Sequence, residues 1–260
     1  MYETIRVDRD ARGVATIWLN RPDRHNVMSG QMMTELHDAA LTLGADADIR
    51  VVVMGGLGPS FCAGGDLGWM RAQMAADAAT RAKEAAKIAH ALQALNTLPK
   101  PLIGRIHGNV MGGGVGIASV CDVAVAAAGS RFGLTETKLG LIPATISPYV
   151  IARMGEARAR RVMMSSRLFD AEEARDLGVV ARVVAEDTLD AAVEAEVTPY
   201  LACAPGAVAA AKALTRRMGP QIGEPLIAET IQALVERWES PECAEGIAAF
   251  FDKRPPMWTV

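Results

Sequence analysis

Aromatic residues make up only 5% of this 260-residue chain, although half of it is apolar and it holds 24 glycines and 13 methionines. Its core must therefore be built from small aliphatic side chains and close backbone packing rather than aromatic slabs. No apolar run approaches the roughly 18 charge-free residues of a membrane helix, so no membrane span is expected. Cysteine is sparse: Cys62, Cys121, Cys203 and Cys243 are far apart and form no CxxC pair, which argues against a zinc ribbon or dithiol motif. They are expected to be small buried hydrophobes in a reducing compartment. A basic stripe is also missing, with 27 Lys and Arg against 30 Asp and Glu and a net charge of −3, so no nucleic-acid partner is expected. The four histidines (His25, His37, His90, His107) lack metal-ligand spacing, and His37 and His90 are placed on helix surfaces. No GxxxxGK[ST], HExxH or GxSxG occurs, and Gly112-Gly113-Gly114-Val115-Gly116 fails GxGxxG because Ile117 takes the last glycine position. The opening Met-Tyr-Glu-Thr-Ile-Arg lacks the basic-then-apolar pattern of a signal peptide, so the expectation is a soluble, cytoplasmic protein.

What is present reads as alternating strand and helix. Residues 4–8 and 13–19 form a strand pair around a turn, and Asn20 to Asn26 is a polar loop. From Ser29 to Leu43 the apolar residues Met32, Met33, Leu36, Ala39, Ala40 and Leu43 recur at helical spacing, with Ser29 as N-cap. Arg50–Met54 is a continuous β-branched run suited to a strand buried on both faces. A helix over 80–96, stopped by Pro99 and Pro101, leads to strands at 102–107 and 122–127 with a glycine-opened helix between them. Beyond Leu189 only helices are expected, over 190–203, 206–217, 224–238 and 242–252. The division is therefore a mixed α/β core over 1–190 and a helical region over 191–260.

Two glycine loops carry the chemistry. Phe61-Cys62-Ala63-Gly64-Gly65-Asp66-Leu67 follows the buried strand and opens a helix that Asp66 can cap. Gly108 to Gly116 likewise lies between a strand and a helix, where unpaired N–H groups make a ready anion site. Either loop alone fits a tight turn equally well. Two in one chain point to a paired backbone-amide oxyanion hole. A third segment, Phe132-Gly133-Leu134-Thr135-Glu136, sets a carboxylate between apolar stretches just ahead of a Gly/Pro turn.

Together these segments resemble the crotonase superfamily, the enoyl-CoA hydratase/isomerase family, over essentially the whole chain. The likeness includes Asn20-Arg21-Pro22 to Asn26, Phe61 to Leu67, the triple glycine, Cys121-Asp122, Phe132 to Pro143, and the stretch from Glu245 to Arg254. It implies a spiral of ββα turns with a helical C-terminal region that builds a homotrimer or a dimer of trimers. It also implies an acyl-coenzyme A thioester as substrate, with coenzyme A part of the substrate and no separate cofactor or metal. The Gly65 and Gly113 N–H groups would hold the thioester oxygen, and Glu136 would be the acid/base. Arg24, His25, Val27, Ala63, Gly64, Asp66, Leu67, Gly112, Gly116 and Lys253 are the substrate-contact positions that it suggests. Trp69, Met70 and Met74 would wall the acyl pocket.

One departure matters. Hydratases of this family commonly carry a further glutamate in the triple-glycine helix, and here that position is Gly116. Three outcomes stay open: a one-glutamate hydratase, a Δ3,Δ2-enoyl-CoA isomerase using Glu136 as its sole shuttle, or a pocket enlarged at Gly116 for a bulky acyl group. A non-catalytic acyl-CoA-binding member is a fourth. Gly112 to Gly116, Glu136 and the Ala144-Thr145-Ile146-Ser147-Pro148 stretch resemble bacterial methylglutaconyl-CoA hydratases of leucine breakdown, which favours a branched glutaconyl-type ester. The carboxylate of such a substrate would want a cationic or hydroxyl partner, for which Thr145 and Ser147 are candidates.

Overall fold

The computed structural model describes residues 2–259. Its main sheet runs in the order β1 (Ile5–Arg9), β2 (Val14–Leu19), β3 (Val51–Gly56), β4 (Leu102–Ile106), β6 (Val123–Ala127), β9 (Arg182–Val184). Only the β1–β2 pair is antiparallel; β2, β3, β4, β6 and β9 are parallel neighbours. A second sheet is formed by β5 (Asn109–Met111), β7 (Arg131–Gly133) and β8 (Leu168–Asp170), with β5 parallel to β7.

The apolar run in β3 is explained by burial on both faces. Val52 and Met54 point into the larger core, while Val51 and Val53 point into a second one. The same alternation separates Ala124 and Ala126 from Val125 and Ala127 in β6, as the two-residue period of a strand demands. On the first face lie α1 (Gly30–Ala45) and α3 (Ala78–Thr97), packed against each other. The six apolar residues read from helical spacing in α1 are all buried, and the Ser29 hydroxyl accepts the Met32 N–H at 3.2 Å. Each such Leu or Met contributes about 1.5–3 kcal/mol of burial free energy.

The second face is covered by Leu189, Ala192, Val193 and Val197 of α8 (Leu189–Leu201). The strands do end at β9, but the first of the terminal helices is part of the sheet's own packing, and residue 190 falls inside it. After it come α9 (Pro205–Met218), α10 (Glu224–Trp238) and α11 (Pro241–Phe251). A half-buried ion pair, Lys212 Nζ to Asp122 Oδ2 at 2.7 Å, ties α9 to the start of β6. Four short strands escape sequence reading because three residues show no period: β5, β7, β8 and β9.

Cys62, Cys121 and Cys243 are buried as expected, but Cys203 is exposed just beyond α8, its thiol donating to the Pro199 carbonyl. His90 is exposed on α3, and His37 is half-buried on α1. Among the described residues, no single helix is long and apolar enough to cross a membrane.

Candidate active site

The two glycine loops follow β3 and β4, neighbours in the main parallel sheet, at the end where such sheets place their ligands, and Glu136 follows β7 of the second sheet. Backbone pairing sets the loops side by side. Cys62 donates to Asn109 O at 3.0 Å and accepts from Met111 N at 2.8 Å, and a Cβ on Gly114 would meet the Cys62 carbonyl at 2.8 Å. Glycine at 114 is thus the condition for the loops to touch.

The loop around Gly65 is held on its other side by Met28. Met28 N–H donates to Gly64 O at 2.8 Å and Asp66 N–H to Met28 O at 2.9 Å. This bridge engages the residues flanking Gly65 and leaves the Gly65 N–H without an acceptor among the described residues. Gly113 is the first residue of α4 (Gly113–Val120), so its N–H has no intrahelical partner, and it finds no other acceptor among the described residues. The Met28 thioether lies over Gly113, in the space that any Cβ there would need.

Glu136 follows β7 and opens a short 3-10 turn, Glu136–Leu139. The β5–β7 pairing, continued by Gly112 N–H to Gly133 O at 2.8 Å, brings its carboxyl to Gly112, where a Cβ would sit 2.9 Å from Oε1. Gly112 has φ +51°, a second reason for glycine. Glu136 Oε2 is buried without a hydrogen-bond partner. Burial pushes its carboxyl up to about 7, against a smaller opposing effect of its own backbone N–H. Carboxyls poised near neutrality in a cleft are suited to giving and taking protons.

These groups share one cavity of about 260 Å³, lined by Met28, Ala63–Gly65, Leu67, Trp69, Met70, Ile88, Gly112, Gly113, Thr135, Glu136, Leu139, Leu141–Ile146, Leu234, Trp238 and Phe250. Glu136 is the one ionisable side chain in that lining. Leu67 (48% exposed) and Phe250 (47%) stand at the rim, whereas Trp238 (6%) is buried.

Of the residues expected to touch substrate, Ala63, Gly64, Leu67 and Gly112 line this cavity, and Trp69 and Met70 wall it. Met74 does not. Gly116 does not line it either: its open side faces Ile146 Cγ2, 2.7 Å from where a Cβ would be, and Leu92 Cδ1 at 3.5 Å. Room for a bulky acyl group is therefore not what this glycine provides. Arg24 is exposed outside the cavity, 3.8 Å from Asp66 Oδ2. His25, with its Nδ1 3.0 Å from Ser60 Oγ, is also outside. Lys253 lies exposed beyond the end of α11 rather than within that helix. Ser147 donates its hydroxyl to Ala144 O at 2.7 Å, which leaves Thr145 as the hydroxyl of that pair lining the cavity.

Arg21 is the residue that sequence reasoning passed over, although it sits in the quoted Asn-Arg-Pro motif. Its guanidinium donates to the Val27 carbonyl and to Asp66 Oδ2, both at 2.9 Å, and so clamps the two strands of the Met28–Gly65 bridge. Asp66 also accepts from Gly68 and Trp69 N–H at the start of α2 (Leu67–Ala75). Burial works to raise its carboxyl, but these N–H groups and Arg21 outweigh it and hold the group below its ordinary value. Asp66 and Val27 thus shape the loop from outside the cavity.

With this geometry in place, the chain can be set beside known proteins. A model of the enoyl-CoA hydratase/isomerase family matches residues 9–260. The chain belongs to that family. It is 35% identical over 260 residues to "Probable enoyl-CoA hydratase echA8" of Mycobacterium bovis, covering 99% of this chain and 98% of that one. Among solved structures it superposes on Pseudomonas aeruginosa AtuE with a TM-score of 0.81 and 37% identity, covering 98% of this chain and 99% of that one. An enoyl-CoA hydratase from Mycobacterium smegmatis gives 0.80 at 34% identity, covering 98% and 99%. The fold is accordingly the crotonase fold of the family, with the mostly parallel main sheet and its covering helices as the core.

Proposed function

We propose that this family member adds water across the 2,3 double bond of an enoyl-CoA, with Glu136 as acid and base. The observation that carries the reading is the single ionisable side chain of the cavity, Glu136, buried with Oε2 unpartnered beside two free N–H donors. The thioester carbonyl accepts from the Gly65 and Gly113 N–H groups. Charge that moves onto this oxygen when the water oxygen attacks C3 is met by donors already in place. The Glu136 carboxylate takes the proton of that water and then gives it to C2, so the product gains OH at C3 and H at C2 while the carboxylate is restored. A group near pH 7 serves both halves of this exchange.

A second reading is favoured by Gly116. The position that would hold a further carboxylate is filled by Ile146 and Leu92, so this chain works with one. One carboxyl suffices to carry a proton from C2 to C4 in a Δ3,Δ2-enoyl-CoA isomerisation. The substrate's acyl part is the finer question. A branched glutaconyl-type ester brings a carboxylate, for which the lining offers Thr135 and Thr145 hydroxyls but no cation. An anion would also lie in one chamber with Glu136, so the cavity favours an uncharged acyl chain over the glutaconyl ester. The expected homotrimer or dimer of trimers is read directly by sedimentation.

The deciding experiment is proton NMR in deuterated water with crotonyl-CoA, 3-methylglutaconyl-CoA and a 3-enoyl-CoA. A 3-hydroxy product formed fastest from crotonyl-CoA supports the hydratase with an uncharged chain. Fastest hydration of the methylglutaconyl ester restores the branched diacid as substrate. Migration of the 3-ene bond without hydration replaces the hydratase by the isomerase.

A further inference from the structure

We infer that Trp69 is the specificity-determining residue that ends the acyl cavity and limits acyl-chain length, and that Glu84 is the positioning residue that holds it there. The inference deepens the proposed hydratase reading, on which its choice of ligand rests.

Behind the acyl cavity lies a second, smaller chamber of about 30 Å³, between α1 and α3. Its lining is Met28, Ser29, Gly30, Met33, Gly65, Trp69 and Ile88, and Met28, Gly65, Trp69 and Ile88 line the acyl cavity as well. Trp69 is the largest of these shared groups, so its indole is the main partition between the two spaces. Past it the lining is mostly apolar, with Met33 buried and Ile88 partly so, and Ser29 its one hydroxyl.

The partition is fixed from two directions. On one side the Trp69 ring meets Trp238 of α10 edge-on, with centroids 6.2 Å apart and planes at 79°. That is a favourable aromatic geometry. On the other, its indole Nε1–H donates to Glu84 Oε2 on α3 at 3.0 Å. Glu84 is itself held by Lys87, whose Nζ lies 2.5 Å from Oε1. An indole tied at both ends does not swing aside for a longer chain. Without it, an apolar tail could run on into the rear chamber. Each methylene newly buried there is worth about fourfold in binding.

The test compares the wild type with Trp69→Ala, Trp238→Phe, Glu84→Gln and Glu84→Leu. Two readouts are taken: kcat/KM on crotonyl-CoA and trans-2-octenoyl-CoA, and calorimetric affinity for the unreactive butyryl-CoA and octanoyl-CoA. Trp69→Ala is expected to raise the octenoyl-to-crotonyl ratio about tenfold or more, and the octanoyl-to-butyryl affinity ratio with it. Glu84→Gln, whose amide oxygen still accepts the indole N–H, should keep the wild-type profile. Glu84→Leu and Trp238→Phe should shift it in the direction of Trp69→Ala by a few-fold. A merely structural role for Glu84 would lower both chain lengths equally. A wild type that hydrates crotonyl-CoA, with a Trp69→Ala profile parallel to it in both readouts, overturns the inference and leaves the hydratase standing. An affinity ratio that shifts in an enzyme hydrating neither ester does the reverse.

Discussion

The two halves of the cavity are built by different means. The glycine half, Gly64–Gly65 and Gly112–Gly113, is backbone laid down by strand pairing, through the Cys62–Val110 and Met28–Gly65 bridges. The acyl half is side chain gathered from far apart: Trp69 of α2, Ile88 of α3, Ile146 at the start of α5 (Ser147–Met154), Trp238 of α10 and Phe250 of α11. Glu136 stands at the seam. The strand before its 3-10 turn is paired to the glycine half through Gly112, and the end of the turn is gripped by Arg237, which donates twice to Gly140 O at 2.8 and 3.1 Å. The contrast suggests a division of labour: hydrogen-bond geometry, which must be exact to tenths of an ångström, comes from the sheet, and shape comes from replaceable apolar groups.

The largest effect should come at the seam. Glu136→Gln keeps size and removes proton transfer, so kcat should fall about 10²- to 10⁴-fold. Acyl-CoA affinity should stay within a few-fold, read by calorimetry. The pH dependence has a definite sign. Water activation needs the carboxylate, so kcat/KM should rise with pH and reach half its plateau near 7. Stability runs the other way. A carboxyl raised from 4.5 to about 7 by burial favours folding fully below 4.5, and that advantage is lost as pH climbs through 7. Denaturant titrations should therefore show Glu136→Gln more stable than wild type at pH 8, by on the order of 3 kcal/mol, with the difference vanishing near pH 4. Equal stabilities at both pH values would mean that the carboxyl is not buried as described.

The glycine half should be sensitive to loss of an N–H and indifferent to a methyl where space exists. A Cβ at Gly65 would find nothing nearer than Met70 at 3.9 Å, so Gly65→Ala should keep activity within a few-fold. Gly113→Pro removes a donor at the first residue of a helix, a position where proline is accommodated. Because the Met28 thioether covers Gly113, the comparison is made in a Met28→Ala background, with that single variant as control. Loss of kcat of about 10²- to 10³-fold is expected from the added proline. Unchanged kinetics in a folded protein would remove Gly113 from the oxyanion hole.

Sequence reading reached the two halves unequally, for the same reason that they differ. The glycine half is local: Gly65 and Gly113 lie in short motifs between strand and helix, and the buried face of α1 and the double burial of β3 follow from periodicity. Trp238, Ile146 and Phe250 carry no local mark, since a residue buried in a helix and one that lines a cavity have the same spacing. Their role arises only when α10 and α11 close over α2. Gly116 was legible as a departure but not as a cause, because the Ile146 that fills its side comes from 30 residues further on.

Arg21 braces the glycine half from outside the cavity and should give an intermediate effect. With a guanidinium bound to the Val27 carbonyl and Asp66 and only 18% of its side chain exposed, Arg21→Gln leaves Asp66 with only the exposed Arg24, 3.8 Å away, as a cation. Breaking such a largely buried pair should cost on the order of 3 kcal/mol of stability. The kinetic signature should separate positioning from plain stability: kcat should fall about tenfold while KM changes little, if the clamp aligns Gly65 for the transition state rather than for ground-state binding. Arg21→Lys, a point charge without the fork, should recover stability more than kcat. If both variants lose only stability, Arg21 braces the fold without aiming the donor.

The smallest effect belongs to a residue beside Met28 that does not itself line the acyl cavity. The Ser29 hydroxyl caps α1 through the Met32 N–H, and α1 presses Met32 and Met33 into the core next to the Met28 strand. Ser29→Ala should cost about 1 kcal/mol in denaturant titrations, the usual worth of an N-cap. Its kinetics should be unchanged, because the Met28–Gly65 bridge uses backbone groups that the cap does not touch. A fall in kcat would mean that the start of α1 transmits its position to Gly65 through Met28, and the glycine half would then be less self-contained than its hydrogen bonds imply.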